Sequence, residues 1–169
     1  MIVHIDNCLT ESHVADIMSM YRRLSNEVVI NDIVRDRHYP STQGHGKFMV
    51  SEFTVEEFAP YWQVIEPQLS EKYQLIYARV LKYIPGCHIA PHHDGVSGGP
   101  DKNTDTSLII QLTDPASFVG GAMMIGDNTY TDKGIGDAVY YSYDVLHGIT
   151  PIIKGVRYVC NLRLKSING

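Results

Sequence analysis

The sequence predicts a mainly β protein in which helices from the N-terminal half pack against a jelly-roll barrel formed by the rest of the chain. Up to residue 73, apolar side chains recur at helical spacing, whereas from Gln74 onward short strands alternate with Gly, Pro and Asp-Asn turns. Strands broken by turns at intervals of roughly 8 to 12 residues are typical of an all-β sandwich or barrel.

The length of the chain indicates how many domains it forms. It has 169 residues, of which 44% are hydrophobic, so it is long enough for one core and too short for two ordinary domains. We therefore predict a single domain over residues 1–169. Helical support is expected over about residues 1–73 and the jelly-roll core over about residues 74–165.

Two helices are predicted in the N-terminal half, after a short strand at residues 2–5. Thr10 or Ser12 can cap the first helix, which we expect to end near Leu24. Its apolar face, which we expect to be core, consists of Val14, Ile17, Met18 and Tyr21. A second helix is predicted over about residues 55–70. The apolar positions that it turns inward are Phe58, Trp62, Ile65 and Leu69.

Two histidines and an aspartate in the second half of the chain are the predicted metal ligands. His92 and Asp94 are two residues apart, and on a β-strand such residues point to one face, whereas His93 between them points away. With His147 they would form the two-histidine, one-carboxylate set of non-haem Fe(II) oxygenases, which leaves coordination positions open. His88 and His93 are the alternative ligands, and the period of two makes them second choices.

The segments around these residues carry further strand and turn signals. They are Tyr83-Ile84-Pro85-Gly86 and residues 105–112, 120–125, 136–141, 147–151 and 154–158. In this order and spacing, roughly residues 75–165 resemble the Fe(II)/2-oxoglutarate dioxygenases, in particular their prolyl and lysyl hydroxylase branch. The resemblance implies a double-stranded β-helix with the metal site at its open end. It also implies Fe(II), 2-oxoglutarate as cosubstrate and dioxygen, and it allows ascorbate.

Arg157 is the predicted cosubstrate residue. Strand alternation places it on one face with Val159 and Asn161. A buried arginine needs an anionic partner, because an unpaired charge inside a barrel is costly. The resemblance implies that this partner is the distal carboxylate of 2-oxoglutarate, bound by two parallel hydrogen bonds. The alternative is a salt bridge to one of the 19 acidic residues of the chain.

Three further residues are cosubstrate candidates through the resemblance. Tyr83 matches a tyrosine that contacts the cosubstrate in similar hydroxylases, although a tyrosine at a strand end can serve packing alone. Thr150 could offer its hydroxyl near the metal or satisfy the turn before Pro151. Gln111 stands on a strand where some related prolyl hydroxylases carry a tyrosine, and it could replace that contact. The chemistry implied is centred on the iron, with no catalytic side chain beyond the metal ligands.

Charge and cysteine content exclude some functions and favour one compartment. A formal net charge of −5 argues against nucleic acid as a partner, because domains that bind it usually carry a basic patch. Three irregularly spaced cysteines suggest neither a disulfide framework nor a zinc site. The N-terminus lacks the pattern of a signal peptide, and no stretch approaches the roughly 20 apolar residues of a membrane span. We expect a soluble, cytoplasmic protein with no membrane partner.

The resemblance implies a prolyl 4-hydroxylase-like enzyme that acts on a peptide or protein. Residues 31–47 have no clear period, and a loop of this length could close over an extended peptide. In that loop Arg35, Arg37 and Lys47 could attract an acidic peptide, and His93 could lie on the substrate side of the metal. One alternative is a hydroxylase of a free amino acid or other small metabolite. Another is a metal-binding jelly roll without turnover, which would have no need for Arg157.

Overall fold

The computed structural model of this protein describes residues 1–31, 46–94, 103–130 and 133–167. Its helices are α1 (Glu11–Leu24) and α2 (Val55–Ile65). Its strands are β1 (Ile2–Ile5), β2 (Val28–Asn31), β3 (Gly46–Phe53), β4 (Tyr73–Tyr83), β5 (His88–His92), β6 (Thr106–Gln111), β7 (Val119–Gly120), β8 (Met123–Ile125), β9 (Asn128–Tyr130), β10 (Ala138–Ser142), β11 (His147–Ile149), β12 (Ile152–Lys154) and β13 (Arg157–Ser166). The predicted mainly β jelly roll with N-terminal helices is confirmed.

One curled antiparallel sheet forms most of the molecule. Its strands follow the order β1-β10-β6-β13-β4-β3-β5-β11-β8-β9, with β2 paired to β3, and β7 pairs with β12 in a separate small sheet. Asp94, just beyond β5, accepts a hydrogen bond from Ser107 on β6, although three strands separate β5 from β6 in the sheet. The sheet therefore closes over itself and encloses an interior.

The two faces of the long central strands have different environments. On β13, Cys160 and Leu162 belong to the core that packs against the helices, whereas Val159 and Asn161 line the enclosed interior. This alternation follows from the period of two in a strand. The helices thus cover one side of the sheet, and the interior on the other side remains available for a site.

Helix α1 has the predicted bounds and cap. The Thr10 side chain accepts a hydrogen bond from the backbone of His13, and the His13 side chain accepts one from the backbone of Thr10, which forms a capping box. Val14, Ile17 and Met20 are buried against the sheet. The apolar stripe of this helix is core, as the sequence predicts.

Helix α2 ends at Ile65, earlier than the predicted end near residue 70. Residues Glu66–Gln68 continue as a 3-10 turn. The physical reason is Pro67, which lacks a backbone N–H and disfavours helical geometry in the residue before it. The inward-facing Phe58 and Ile65 are fully buried, as predicted.

Strand β3 is an element that the sequence prediction missed. It lies between β4 and β5 in the main sheet, although residues 1–73 were expected to be helical support. Six of its eight residues are buried, because helices cover one face and the interior lies on the other. A strand buried on both faces has no apolar-polar alternation, so the pattern that identifies half-buried strands is absent.

Gly136 joins the N-terminal segment to the barrel. It has φ +84°, and a Cβ at this position would lie 2.0 Å from the carbonyl oxygen of Leu9. Gly86 has a similar φ of +88° and nothing within 4 Å of the same position. Both glycines therefore need the left-handed backbone region, and only Gly136 also needs the missing side chain.

We expect Gly136→Ala to destabilise the protein more than Gly86→Ala does. The Gly86 variant should lose roughly 1–2 kcal/mol of unfolding free energy from its backbone conformation alone. The Gly136 variant adds a backbone clash to the same conformational cost. Urea denaturation of both variants measures the difference, and equal losses would contradict the close approach to Leu9.

Candidate metal centre and cosubstrate cavity

The two predicted histidine ligands lie opposite each other on neighbouring strands. His92 ends β5, His147 begins β11, and the two residues are paired in the antiparallel register. His92 Nδ1 is 3.0 Å from the carbonyl oxygen of Ala90, and His147 Nδ1 is 2.9 Å from that of Val145. Because a carbonyl only accepts, each Nδ1 donates its proton, which leaves the Nε2 lone pair of each ring available to a metal.

Asp94 completes the set of donors with one of its two oxygens. Its Oδ1 lies 3.4 Å from Nε2 of His92 and 3.4 Å from Nε2 of His147. Its Oδ2 accepts hydrogen bonds from Ser107 Oγ at 2.6 Å and from Arg163 Nη1. One oxygen is therefore anchored to the protein while the other faces the two imidazoles.

The surroundings of Asp94 keep its carboxyl ionised. Burial alone would raise its pKa, but the two neighbouring imidazoles, His147 foremost, and the charge of Arg163 together hold the pKa well below its usual range. The ligand atoms of His92, Asp94 and His147 all lie within 4.8 Å of one another. Two imidazoles and one carboxylate on one side of a common point fit Fe(II), with positions left open for other ligands.

Arg163 supports this centre, and the sequence prediction did not include it. It is 1% exposed on β13, and its Nη1 donates to Asp94 Oδ2 and to Ser107 Oγ. Its Nη2 donates to Thr104 Oγ1 at 2.7 Å. Strand alternation places Arg157 on the interior face. Continued for six residues along β13, the same alternation also places Arg163 on that face.

Arg157 lies in the interior with part of its guanidinium unsatisfied. It is 4% exposed, its Nε donates to Gln111 Oε1 at 3.2 Å, and its Cζ lies 5.8 Å from the centre of the Tyr83 ring. Its Nη1 is buried and has no hydrogen-bond partner among the residues described. Within the same residues no carboxylate pairs with it, so the alternative of an internal salt bridge finds no support there. An anionic ligand would satisfy this group.

The metal ligands and Arg157 line two adjoining cavities. The three metal ligands line one of them together with Tyr83 and Tyr141, and Arg157 and Gln111 line the other. Ile109 and Met123 border both cavities. The interior therefore offers a metal set at one end and a buried guanidinium at the other, with apolar walls between them.

The remaining predicted site residues have different placements. Tyr83 is 1% exposed beside the metal ligands, and burial raises its pKa to about 12, so it is a neutral donor at ordinary pH. The Thr150 hydroxyl accepts a hydrogen bond from the Ala122 backbone at 2.7 Å, and Thr150 lines neither cavity. Its position fits the structural alternative. His93 lies between the ligands and is not part of the donor cluster.

The predicted substrate loop lies mainly outside the described residues. Arg35 and Arg37 fall in that part. The ends of the loop belong to strands, because Asn31 on β2 pairs with Lys47 on β3. Lys47 is exposed, and it lies opposite His88 on β5 as well.

Sequence similarity to known proteins covers about half of the chain. A PKHD-type hydroxylase of Cupriavidus metallidurans is 36% identical over 86 residues, which span 48% of this chain and 35% of that protein. A PKHD-type hydroxylase of Pseudomonas putida is 37% identical over 87 residues, 48% of this chain and 38% of the relative. The chain thus spans well under half the length of these relatives. No protein-family model matches it.

Solved structures with similar folds extend over nearly the whole chain. An oxidoreductase of the 2OG-Fe(II) oxygenase family from Burkholderia pseudomallei has a TM-score of 0.75 and 14% identity, over 99% of this chain and 86% of that one. A prolyl-4-hydroxylase of Pseudomonas putida has a TM-score of 0.65 and 14% identity, over 98% and 92%. The α-ketoglutarate-dependent epimerase SnoN from nogalamycin biosynthesis has a TM-score of 0.65 and 14% identity, over 98% and 77%. The predicted resemblance to this group of proteins is confirmed, and the fold is theirs.

Proposed function

We propose that this relative of the Fe(II)/2-oxoglutarate dioxygenases is itself an Fe(II)- and 2-oxoglutarate-dependent hydroxylase. His92, Asp94 and His147 would hold the iron, and Arg157 would bind the distal carboxylate of 2-oxoglutarate. The observation that carries the proposal is a buried two-histidine, one-carboxylate set beside a buried guanidinium whose Nη1 lacks a partner among the described residues. Fe(II) with 2-oxoglutarate and dioxygen supplies the oxidising power to hydroxylate an unactivated C–H bond.

The side chains of the protein hold the donor atoms in place. The carbonyl oxygens of Ala90 and Val145 fix the two imidazole rings, so each Nε2 faces the common point. Ser107 and Arg163 hold Oδ2 of Asp94, which directs Oδ1 to the same point. Such outer hydrogen bonds fix the orientation of metal ligands.

The walls of the cavities would bind the cosubstrate and exclude water. Gln111 orients Arg157, because its Oε1 accepts from Arg157 Nε while its Nε2 donates to the Thr113 carbonyl oxygen at 2.8 Å. Ile109 and Met123 line the path between the metal ligands and Arg157. Apolar walls keep water from the reacting centre and strengthen the pairing of Arg157 with a carboxylate.

For the substrate we propose the prolyl side chain of a peptide or protein, oxidised in the manner of a prolyl 4-hydroxylase. The hydroxylase relatives and the prolyl-4-hydroxylase neighbour support this reading. The alternative is a free amino acid or another small metabolite, which the epimerase neighbour from nogalamycin biosynthesis supports. A net charge of −5 disfavours nucleic acid as substrate.

The protein would act in the cytoplasm, with ascorbate as a further cofactor. No helix in the described part of the chain is long and apolar enough to cross a membrane.

A binding module without turnover is the third candidate function. Arg157 disfavours it, because a metal site alone gives no reason to bury an arginine next to it.

Anaerobic titration with Fe(II) and 2-oxoglutarate, followed by a succinate-release screen, tests the proposed function. Proline-containing peptides and free amino acids serve as the test compounds, and mass spectrometry detects the added oxygen atom. Binding of both ligands with succinate release is the expected result. A protein that binds Fe(II) but neither binds nor decarboxylates 2-oxoglutarate would be a metal-binding module instead.

The Arg157→Ala substitution is expected to weaken 2-oxoglutarate binding by roughly ten- to hundredfold. A hydrogen bond to a charged group contributes about 1.5–3 kcal/mol, and the variant loses the charged donor. Arg157→Lys should restore part of the affinity, because lysine keeps the charge and loses the planar pair of donors. Calorimetry on the Fe(II)-loaded protein without oxygen measures both variants. Unchanged affinity in a folded Arg157→Ala protein would mean that the arginine is structural.

A further inference from the structure

A third arginine, Arg79, lies in the cavity that the metal ligands line. It is on β4, directly opposite Asn161 on β13 and opposite Glu52 on β3. The alternation of β4 places it on the same face as Leu81 and Tyr83, which also line that cavity. Arg79 is therefore on the metal side of the sheet and away from the helices.

Two contacts fix the orientation of the Arg79 guanidinium. Its Nε donates to Asn161 Oδ1 at 2.8 Å, and its Cζ lies 5.2 Å from the centre of the Tyr77 ring. Since Nε can only donate, the side-chain oxygen of Asn161 must face it, and the amide NH2 of Asn161 remains a donor within the same cavity. Arg79 and Asn161, the residues that carry these donors, both line this cavity.

The charges in this cavity do not cancel. Its charged lining residues are Arg79, Arg163 and Asp94, apart from the histidines. Asp94 is already paired with Arg163. Within the described part of the chain Arg79 forms no ion pair, and the carboxylate of Glu52, opposite it in the sheet, is exposed and not paired with it. One partly buried positive charge beside the metal ligands is left without a counterion, and an anionic ligand would balance it.

We propose that Arg79 and Asn161 bind a carboxylate of the substrate that is oxidised at the metal. This inference rests on the proposed function, and it assigns the substrate to the class of carboxylates. Arg157 serves the cosubstrate in the adjoining cavity, so the two arginines bind two different carboxylates. The planar guanidinium of Arg79 is suited to a two-point contact with such a group. The carboxylate can belong to a free amino acid or to an acidic side chain of a peptide.

Matched pairs of compounds that differ in one carboxylate test the proposal. The first set is the protein amino acids, each compared with its primary amide. The second set is the terminally blocked tripeptides Glu-Pro-Gly and Gln-Pro-Gly. Succinate release and the gain of an oxygen atom are measured for each compound with the Fe(II)-loaded wild-type protein. The acids are expected to be the better substrates, and the set in which they succeed identifies the source of the carboxylate.

The variants Arg79→Met and Arg79→Lys then separate substrate binding from cosubstrate binding. With the best acid, Arg79→Met is expected to raise KM by roughly ten- to hundredfold, and lysine is expected to restore part of the loss. The affinity for 2-oxoglutarate and Fe(II), measured by anaerobic calorimetry, should stay unchanged. Glu52→Gln is the matched control, since it alters the opposite exposed residue and leaves the guanidinium contacts in place.

Three results would overturn this inference without touching the proposed function. The first is that no acid exceeds its amide, including the case in which no compound of either set is oxidised while 2-oxoglutarate and Fe(II) still bind. The second is an unchanged KM for the best acid in Arg79→Met. The third is a loss of 2-oxoglutarate affinity in that variant, which would make Arg79 a cosubstrate residue. Failure of the wild-type protein to bind 2-oxoglutarate with Fe(II) would instead contradict the proposed function itself.

Discussion

Asp94→Ala is expected to abolish 2-oxoglutarate turnover and to destabilise the protein at the same time. The substitution removes the Oδ1 that faces both imidazoles, and it leaves the buried Arg163 without its anion. Breaking a buried ion pair by removing one partner costs about 3–5 kcal/mol of unfolding free energy. Anaerobic Fe(II) titration, succinate release and urea denaturation measure the three effects.

Two further variants keep this test informative if Asp94→Ala folds poorly. Asp94→Asn keeps an oxygen that can accept from Arg163 and removes the negative charge, so it should fold better and still lose Fe(II) binding. His93→Ala is the matched control, because His93 lies between the ligands and outside the donor cluster. Full decarboxylation of 2-oxoglutarate by the Asp94 variants, or loss of iron in the His93 variant alone, would refute the assignment of ligands.

Arg163→Met is expected to weaken Fe(II) binding although it changes no metal ligand. The substitution removes one donor to Asp94 Oδ2 and leaves Ser107 as the remaining hydrogen-bond donor to that oxygen among the described residues. Loss of such an outer-shell partner typically lowers metal affinity about 10- to 100-fold. The unfolding free energy should also fall by several kcal/mol, because a buried carboxylate loses its cation.

Lys165→Ala is the control for the Arg163 variant. Lys165 is on the same strand, and its side chain is 51% exposed in a surface ion pair with Asp105 at 3.0 Å. Exposed pairs of this kind contribute at most about 1 kcal/mol, so this variant should retain both its iron affinity and nearly all its stability. If Arg163→Met bound Fe(II) as tightly as Lys165→Ala does, Arg163 would have no part in orienting Asp94.

The predictions of the first helix and of the shared face of His92 and Asp94 succeeded because both depend on local geometry. A helix cap and a stripe at helical spacing are determined within a few residues, and α1 has the predicted bounds. The spacing of His92 and Asp94 likewise gave the same-face prediction, because the pleat of a strand has a period of two. Helix α2 ends earlier than predicted, because Pro67 stops it although the apolar stripe continues to Leu69.

The prediction failed at β3 because burial on both faces removes the pattern on which it relied. The strand was therefore assigned to the helical part of the chain, although it lies at the centre of the main sheet. Thr150 presents a different case. Its position before a proline is compatible with two roles, a hydroxyl near the metal and a hydroxyl that satisfies the backbone. The hydrogen bond from the Ala122 backbone favours the second role, and the sequence does not show this bond.

Residue pattern alone was enough to predict a β barrel with N-terminal helices, the three candidate metal ligands, and an interior Arg157. Only the tertiary structure brings Arg163 to Asp94, 69 positions away, and sets Arg79 beside the metal ligands with no described counterion. The physical reason is that strand periodicity determines which face a side chain occupies, whereas its neighbours depend on the register and closure of the sheet. Those two properties are set by packing over the whole chain, so no local pattern records them.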